Sequence, residues 1–396
     1  MRLTVIGVDH PTLHPDADRL LSTAGMVAGG RRHLAAFTQR ISQDAERVVI
    51  GNLDAVIPRI AAHDGDVVVL ASGDPGFFGI LRRLRAEGLE PTVLPAASSA
   101  AHAFARIGLP WDDALVVSAH GRAARPALAA ALVHPKVAIL TDDAVDLVPE
   151  LLEAGRRVVA CERLGAIDER VIEVTHPTLL RHPHVLLSLD PATGWQPAPV
   201  WLAGHRAGPE QWALPEEEFE HRDRMITKTE VRALVLARLG PQLGQVIWDV
   251  GTGSGSVAVE CARFGAYVVA IDDDPAQCAR ARENAAAYGV VVRVVEADAT
   301  APRQLEHLPP PDAVFVGGGS LAAIEAALAA RPARIVLALA AIDRVGPALR
   351  AVRDAGYVAE GTQLAASRIG TLPDGAVRLV AENPVTVIWG RREAGT

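Results

Sequence analysis

Short runs of Val, Leu and Ile alternate with Ala-, Leu- and Arg-rich stretches of helical spacing along the first half of the chain. Four such runs precede the Gly108-Leu109-Pro110 break and five follow it, each long enough for one strand. The predicted strands are 3–8, 48–50, 67–71, 92–94, 114–118, 137–140, 157–161, 171–174 and 184–187. Because strands covered by helices on both faces are almost continuously apolar, this pattern predicts two successive α/β lobes, about 1–110 and 111–204.

A third α/β unit is predicted from residue 223 to residue 396. Thr229–Leu239 has apolar side chains at helical spacing, and seven strand-like runs follow it. These runs are 246–250, 267–271, 291–296, 313–316, 335–339, 358–363 and 386–389. Helices fall mostly between the first five runs, which predicts a mostly parallel sheet with a late antiparallel hairpin. The segment 205–222 has two prolines and five glutamates, and this composition indicates an interdomain linker.

Composition narrows the class of protein. The chain has 396 residues, 49% apolar, with a formal net charge of −8 and no basic tract, which disfavours a sequence-independent nucleic-acid binder. No uncharged apolar run reaches the roughly 18 residues of a membrane helix, and the N-terminus lacks a signal-peptide pattern. Cys161, Cys261 and Cys278 are widely spaced, which suggests neither a disulfide framework nor a metal site. We therefore expect a reduced, cytoplasmic protein without a bound metal.

The strongest local pattern is VIWDVGTGSGS at 246–256, a strand that runs into alternating glycines and then a helix. Glycines at such a turn let the backbone approach a ligand closely. A dinucleotide fingerprint would place its third glycine where Ser256 stands. Alternate glycines after an acidic residue are instead typical of S-adenosylmethionine enzymes, in which the acid can accept from the ammonium group of the cofactor. The predicted cofactor residues here are Asp249, Gly251, Thr252, Gly253, Ser254 and Gly255.

The ends of the next three strands carry further candidates. Asp272, 21 residues after Gly251, is placed to take the two ribose hydroxyls, and Asp298 beside Ala297 is placed to accept from the adenine amino group. Gly317 follows the fourth strand. Any one of these features fits a structural turn, but all lie at carboxyl ends of parallel strands, where open α/β sheets bind ligands. Together they predict nucleotide-type binding.

The N-terminal half has four polar or Gly-rich turns at predicted strand ends: ASGDPGFFG at 71–79, LPAASSA at 94–100, VSAHGR at 117–122 and VACERLG at 159–165. Their backbone amides either receive a carboxylate or adenosine group, or they are ordinary turns between strand and helix. His120 is likewise either a ligand-binding or a structural histidine. The candidate cofactor residues are Gly73, Asp74, Pro75, Phe78, Ser98, Ser99 and His120.

With these segments in view, the whole chain resembles the bifunctional precorrin-6Y C5,15-methyltransferase (decarboxylating) family of cobalamin biosynthesis. The resemblance runs through ASGDPGFFG, LPAASSA, GLPWDDALVVSAHGR and CERLGAIDERV, then through MITKTEVRALVLARLGP, WDVGTGSGSVAVECAR, DAVFVGGG and NPVTVIWG. It implies a bilobal tetrapyrrole-methylase domain at 1–204 and a seven-stranded, Rossmann-like class I methyltransferase domain at 223–396.

The resemblance also implies a reaction. Two methyl groups pass from S-adenosylmethionine to C5 and C15 of a tetrapyrrole, and CO₂ leaves the C12 acetate. The N-terminal domain would methylate C5, and the C-terminal domain would methylate C15 and decarboxylate. A homo-oligomer is implied as well, because both parent families form assemblies.

Two positions depart from the family pattern. Tetrapyrrole methylases usually have a Gly-x-Gly loop after the first strand, whereas this chain has Gly7-Val8-Asp9-His10-Pro11 and keeps only Gly7 as a candidate cofactor residue. Downstream, Ala297-Asp298-Ala299-Thr300 stands where the family tends toward Gly-Asp-Ala-Pro.

The implied substrate is a polycarboxylate, so arginines and lysines of this acidic chain must bind its carboxylates locally. Surface solvation is the alternative role for each candidate. Thr227 and Lys228 lie in MITK at 225–228, which is well placed to close over the second pocket. The candidate cations are Arg122, Arg163, Arg224, Lys228, Arg232 and Arg368. Two other functions stay open on the residues alone: a class I RNA methyltransferase with an accessory N-terminal module, and a non-enzymatic tetrapyrrole carrier.

Overall fold

The computed structural model describes residues 2–9, 13–78, 80–120, 123–142, 146–192, 211–222 and 226–392. The chain forms two compact units, the first made of Met1–Ala124 and Lys136–Ala203 and the second of Arg125–Pro135 and Gly204–Thr396. The sequence placed 125–135 in the first domain. In the structure this segment belongs to the second unit, where Arg125 donates to Asp312 Oδ1 (2.5 Å). Within the described ranges, no helix combines the length and apolarity needed to cross a bilayer.

The first sheet of the first unit is parallel throughout and has the order β3-β2-β4-β1-β5. Its strands are β1 (Leu3–Val8), β2 (Met26–Gly29), β3 (Glu46–Val49), β4 (Val67–Ser72) and β5 (Thr92–Leu94). Its helices are α1 (Ala17–Thr23), α2 (Arg31–Ala36), α3 (Leu53–Ala61), α4 (Ile80–Ala86) and α5 (Ser99–Ile107). Neighbouring residues of β1 face opposite sides, since Val5 packs with Ile57 while Ile6 packs with Leu21. Helices therefore cover both faces of this sheet.

The second sheet of this unit differs from the expectation of a helix-covered parallel lobe. Its strands are β6 (Leu115–Ser118), β7 (Lys136–Leu140), β8 (Arg157–Glu162), β9 (Arg170–Val174) and β10 (Pro183–Leu189), in the order β6-β7-β10-β8-β9. Only β6 and β7 are parallel, and α6 (Arg125–Val133) connects them. Helix α7 (Val148–Glu153) precedes β8, whereas the later strands are joined without an α-helix. Short connections favour antiparallel neighbours, because a parallel crossover needs a longer segment.

The second unit contains a mixed sheet with the order β13-β12-β11-β14-β15-β19-β16. Its strands are β11 (Val246–Val250), β12 (Tyr267–Asp272), β13 (Val292–Glu296), β14 (Ala313–Gly317), β15 (Arg334–Leu339), β16 (Tyr357–Leu364) and β19 (Val385–Arg392). Its helices are α8 (Thr229–Leu239), α9 (Ser256–Arg263), α10 (Pro275–Ala287), α11 (Pro302–Leu305), α12 (Leu321–Ala329) and α13 (Ile342–Asp354). The first five strands are parallel, and β19 runs antiparallel between β15 and β16. The predicted α/β class with parallel sheets is confirmed.

Strand order fixes where a ligand can bind in the second unit. The chain moves outward from β11 through β12 to β13, then returns to place β14 on the other side of β11. The order therefore reverses between β11 and β14, and the crevice at their carboxyl ends is where open α/β sheets bind ligands. The glycine loop follows β11 directly at this point.

A two-stranded hairpin, β17 (Ser367–Thr371) and β18 (Val377–Ala381), lies between β16 and β19 in the chain and was not predicted. Ile369 is paired with Leu379, and Val377 is paired with Thr371. Directly opposed residues and their neighbours two positions along share one face of a sheet. Ile369, Leu379 and Val377 therefore lie on the same face, and they are 78%, 71% and 71% exposed.

Residues 211–222, which we call the strap, belong to the second unit rather than to an open linker. Leu214 and Phe219 are buried and pack with Val259 and Ala285, side chains of α9 and α10. Of the predicted linker 205–222, the part from residue 211 onward packs on the second unit, and 205–210 lies outside the described residues. Burial of two large apolar side chains explains why this Pro- and Glu-bearing segment docks onto the unit.

Candidate functional site

Asp249 lies one residue before the end of β11 and is 1% exposed. Its Oδ2 accepts from the Thr252 hydroxyl (2.7 Å) and from the Ala258 amide (3.0 Å), so it holds the loop to the start of α9. Burial raises the pKa of the Asp249 carboxyl to about 7, although these two hydrogen bonds lower it. Its Oδ1 has no hydrogen-bond partner among the described residues. A buried carboxylate oxygen without a donor is costly, so the site favours a cationic hydrogen-bond donor there.

Gly251 and Gly317, at the ends of neighbouring strands, approach each other at the crevice. Gly251 has φ +69°, and a Cβ on it would lie 2.9 Å from the Gly317 carbonyl oxygen. A side chain at either position would fill this gap. Gly253 has φ +56°, but a Cβ there would meet no atom within 4 Å. The loop therefore has its close approach at Gly251 and open space at Gly253, which suits a ligand lying against the backbone.

The other acidic candidates already hold parts of the backbone in place. Asp272 accepts from the Gly253 amide through Oδ2 (2.8 Å) and from the Asp274 amide through Oδ1 (3.0 Å). Asp298 is exposed, and the hydroxyl and amide of Thr300 donate to its Oδ1, which lowers the pKa of this carboxyl. Ala297 is buried beside it, with its amide donating to the Asp272 carbonyl (2.9 Å). Each oxygen of Asp272 keeps a second lone pair for a ligand, whereas Asp298 Oδ1 already accepts two hydrogen bonds and leaves Oδ2 for that role.

The rest of the glycine loop is fixed by α10 and the strap. Ser254 and Thr252 are buried, and the Ser254 carbonyl accepts from Asn284 Nδ2 (2.8 Å). Asn284 also donates to the Glu220 carbonyl (2.9 Å) and accepts from the Glu220 amide (2.8 Å). This one amide side chain therefore joins the strap to the loop. Gly255 closes the turn, with φ +74° at the N-cap of α9.

In the first unit, three strand ends converge around Gly7. A Cβ on Gly7 would lie 2.7 Å from the Gly73 carbonyl oxygen and 2.8 Å from the Ala96 amide nitrogen. The end of β1 and the residues after β4 and β5 are therefore neighbours at one edge of the sheet. Ser98 caps α5 by accepting from the Ala101 amide (3.1 Å), and Ser99 is the first residue of that helix.

The remaining candidates of this unit differ in position. Asp74 accepts from the Gly76 amide (2.7 Å), and Pro75 is buried. Phe78 has φ +54°, a strained backbone conformation for an aromatic residue, and its side chain is 36% exposed. His120 follows β6 in the other sheet and is largely exposed, with Nδ1 3.6 Å from Asp142 Oδ2. The structure thus groups the Gly7, Gly73 and Ser98 segments at one edge and assigns His120 to a separate strand end.

Comparison with known proteins places the chain in a family. The model described as "Precorrin methyltransferase domain" matches residues 217–374, and the model described as "Tetrapyrrole (Corrin/Porphyrin) Methylases" matches residues 9–180. A precorrin-6Y C(5,15)-methyltransferase [decarboxylating] from Sinorhizobium sp is 37% identical over 339 residues, which cover 80% of this chain and 78% of the relative. The chain belongs to the precorrin-6Y C5,15-methyltransferase (decarboxylating) family.

Two shorter relatives each align with less than half of this chain but with most of their own length. A probable cobalt-precorrin-6B C(15)-methyltransferase (decarboxylating) from Pyrobaculum calidifontis is 36% identical over 44% of this chain and 93% of its own length. A cobalt-precorrin-7 C(5)-methyltransferase from Salmonella typhimurium is 35% identical over 43% of this chain and 88% of its own length.

Two of the cations that were predicted to bind substrate carboxylates, Lys228 and Arg368, are already paired with carboxylates of this chain. Glu216 of the strap lies between Lys228 Nζ (2.8 Å) and Arg368 Nη2 (2.6 Å). Arg368 also contacts Glu230 (3.2 Å) and Glu382 (3.4 Å). Burial acts to raise the pKa of the Glu216 carboxyl, but the hydrogen bond and charge of Lys228, the charge of Arg368 and the Thr229 amide outweigh it, so this pKa lies below its ordinary value. A substrate carboxylate would have to compete with these acids.

Arg232 is not available to a substrate in this structure, which corrects its prediction as a positioning residue. Its side chain is 0% exposed, and it donates to Glu260 Oε1 (3.2 Å), to the Thr227 carbonyl (2.6 Å) and to the Leu214 carbonyl. It therefore holds the strap to α8 and α9. Thr227 is partly buried beside it. The partner of this arginine is 28 residues away in sequence, so spacing alone could not reveal it.

Arg163 is exposed and paired with Asp168 (2.8 Å), with φ +51°. Arg122 and Arg224 lie outside the described residues. Asn284 was not among the candidate residues of the sequence analysis. It follows the buried residues Cys278 and Ala281 at helical spacing, and a polar residue at such a position could have indicated a buried hydrogen-bonding role.

Proposed function

We propose that this chain methylates C5 and C15 of a precorrin-6Y-type tetrapyrrole with S-adenosylmethionine and removes CO₂ from its C12 acetate to give precorrin-8X. Membership of the family supports the proposal, as does a relative whose alignment covers 80% of the chain at 37% identity. The residues of a tetrapyrrole-methylase domain would be 1–204 and those of a class I methyltransferase domain 223–396, with the strap as part of the latter. The C15 methylation and the decarboxylation are assigned to the second unit and the C5 methylation to the first.

The observation that carries the proposal is Asp249. Its buried Oδ1 has no partner among the described residues, and it stands beside a glycine loop with open space at Gly253. The ammonium group of S-adenosylmethionine would supply the missing donor, and Asp272 at the next strand end would take the ribose hydroxyls. The donor set therefore fits this cofactor. Gly317 would lie on the far side of the crevice, toward the methyl acceptor.

The protein's task is mainly positioning. S-adenosylmethionine, when bound, supplies an already activated methyl group, so transfer to an electron-rich carbon requires alignment and exclusion of water rather than a strong base. Asp249 would hold the cofactor's amino-acid end, and Asp272 and Asp298 its nucleoside end. In the first unit, Gly7, Gly73, Asp74, Pro75, Phe78, Ser98 and Ser99 would form the second cofactor site. For loss of CO₂, the conjugated macrocycle of the substrate takes the electron pair.

Two measurements test the proposal. Calorimetric titration with S-adenosylmethionine should give two sites per chain, and Gly253→Arg should remove one of them by filling the open space of the loop. Incubation with precorrin-6Y and the methyl donor should give a product that has gained two methyl groups and lost CO₂, which is a net decrease in mass. Tetrapyrrole binding without turnover would identify a carrier, and salt-dependent tRNA binding with tRNA methylation would identify an RNA enzyme.

We also propose that the protein is a homo-oligomer. The apolar face of the β17–β18 hairpin, formed by Ile369, Val377 and Leu379, supports this, because exposed apolar patches mark protein–protein contacts. Light scattering should give a mass above 41.7 kDa, and Leu379→Lys should reduce it toward that of one chain. A wild-type protein with the mass of one chain at micromolar concentration would contradict the proposal.

A further inference from the structure

Arg344 lies in the first turn of α13, where the chain leaves the carboxyl end of β15. Its Nη1 is 3.2 Å from the Gly318 carbonyl oxygen and 3.5 Å from the Gly319 carbonyl oxygen. These are the two residues after Gly317, whose carbonyl oxygen approaches Gly251. The guanidinium is thus held over the turn after β14, directly beside the crevice at which the strand order reverses.

Charge divides this edge of the sheet into two halves. Carboxylates lie at or beside the ends of β11, β12 and β13, namely those of Asp249, Asp272 and Asp298. On the other half, after β14 and β15, Arg344 supplies a cation, with the exposed carboxylate of Asp343 next to it in the first turn of α13. The acidic half is the one assigned above to the cofactor, so the methyl acceptor must approach from the half that carries Arg344.

Arg344 also differs from the cations that the sequence singled out. Lys228 and Arg368 are paired with Glu216, Arg163 is paired with Asp168, and Arg232 is fully buried. Within the described ranges, no carboxylate lies within 4.0 Å of the exposed Arg344 side chain; even the preceding Asp343 forms no ion pair with it. A guanidinium has five N–H donors, so the two contacts of Nη1 with backbone carbonyls leave the other donors for a ligand.

We propose that Arg344 binds a carboxylate side chain of the methyl acceptor in the second unit and so fixes which ring carbon faces the cofactor. The ligand class is a macrocycle that carries acetate and propionate groups, and the inference therefore rests on the proposed function. Arginine suits this role because its planar fork matches a carboxylate with two parallel hydrogen bonds. Ile342, at the start of the same helix, is 75% exposed and offers apolar surface to the edge of the ring.

The test compares two arginines of one helix. Arg353, near the C-terminal end of α13, is also exposed and also contacts a backbone carbonyl, that of Ala359 (3.5 Å). It lies close to the start of β16, away from the carboxyl ends of β14 and β15. Arg344→Gln should raise the KM for the tetrapyrrole in C15 methylation by roughly 10- to 100-fold, the range expected for charge-assisted hydrogen bonds. Arg353→Gln should leave this KM unchanged, and Arg344→Lys should recover only part of the loss.

Two further readouts separate ligand contact from a structural role. The affinity of the second unit for S-adenosylmethionine and the thermal unfolding midpoint should match those of the wild type in Arg344→Gln. Wild-type KM in Arg344→Gln, or an equal rise in Arg353→Gln, overturns the inference. A parallel loss of cofactor affinity also overturns it, because Arg344 would then act through the turn after β14. A wild-type protein without turnover on precorrin-6Y overturns the proposed function itself and the inference with it.

Discussion

Asp9 Oδ1 lies 2.8 Å from His102 Nε2 and joins the residue after β1 to the second turn of α5. Asp9 stands where tetrapyrrole methylases usually have the second glycine of their first loop. The pair is one-quarter to one-third exposed and lies near Arg106 and Glu169, which are themselves paired. In this chain, therefore, a close contact between Asp9 and His102 lies at the edge where Gly7, Gly73 and Ser98 converge.

Loss of this pair should weaken cofactor binding in the first unit only. We expect His102→Leu to lower the affinity of that site for S-adenosylmethionine by about two- to fivefold, as for the loss of a partly exposed polar contact. Calorimetry in a Gly253→Arg background isolates the site. Arg40→Gln, which breaks the exposed pair with Asp18 (3.0 Å), is the control and should have no effect. Unchanged affinity in His102→Leu would show that the pair does not shape the pocket.

The approach of Gly251 to Gly317 predicts an unequal cost for two similar substitutions. Gly289 has φ +60°, but a Cβ there would meet no atom within 4 Å. Gly289→Ala should therefore cost only the left-handed backbone penalty of about 1–2 kcal/mol. Gly251→Ala adds overlap with the Gly317 carbonyl, and it should destabilise the second unit further and abolish its cofactor binding. Urea denaturation of both variants measures the difference, and equal losses would contradict the close approach.

Asp249 should make the second unit sensitive to pH. Its pKa of about 7 in the fold lies above the ordinary value of 3.8, so between these values the folded state holds a proton that the unfolded chain has lost. The free energy of unfolding should therefore fall as the pH rises through this window. Asp249→Asn should remove that slope, which thermal unfolding between pH 5 and 8 would show. A slope retained in Asp249→Asn would assign the effect to another group.

The same carboxyl should link cofactor binding to proton release. An ammonium group beside Oδ1 would favour the charged form, so binding near pH 6 should expel up to one proton. Calorimetry in two buffers of different ionisation enthalpy measures this number directly. Asp249→Asn should bind without releasing the proton, and proton release that persists in this variant would refute the contact.

The buried pair of Arg232 and Glu260 predicts a large stability effect. Glu260→Gln leaves the fully buried guanidinium without its charge partner, and we expect a loss of about 3–5 kcal/mol in the second unit. The exposed pair of Arg157 and Glu173 (2.8 Å) is a control, and Glu173→Gln should cost less than about 1 kcal/mol. Chemical denaturation measures both. Equal, small losses would mean that the buried pair contributes little.

The strands of the second unit were predictable because Val- and Ile-rich runs between helical segments indicate buried strands. The run at 246–250 matches β11, and the run at 313–316 matches β14 to within one residue. In the first unit, β2 was missed because Met26–Gly29 contains Ala and Gly, which are depleted in strands. The direction of the later strands in the second sheet was also beyond the sequence, since an apolar run does not show which strand it pairs with.

Among the candidate site residues, those in local turns were predictable from the sequence, whereas contacts between residues distant in sequence were not. Asp249 and the glycines were predictable because a turn between strand and helix is local in sequence. The contacts of Asn284 with Glu220 and of Glu216 with Arg368 join residues 64 and 152 positions apart, and spacing has no information about such pairs. Arg344 was missed for a similar reason, since only the fold places it over Gly318.

The docked strap limits where the chain can be divided into two fragments that keep their buried contacts. A downstream fragment that starts at residue 223 would lack Leu214 and Phe219, which cover Val259 and Ala285. It would also lose the Leu214 carbonyl and amide that satisfy the buried Arg232 and Glu260. A split upstream of residue 211 leaves the strap with the fragment that follows it, although 125–135, which also belongs to the second unit, stays with the fragment that precedes it.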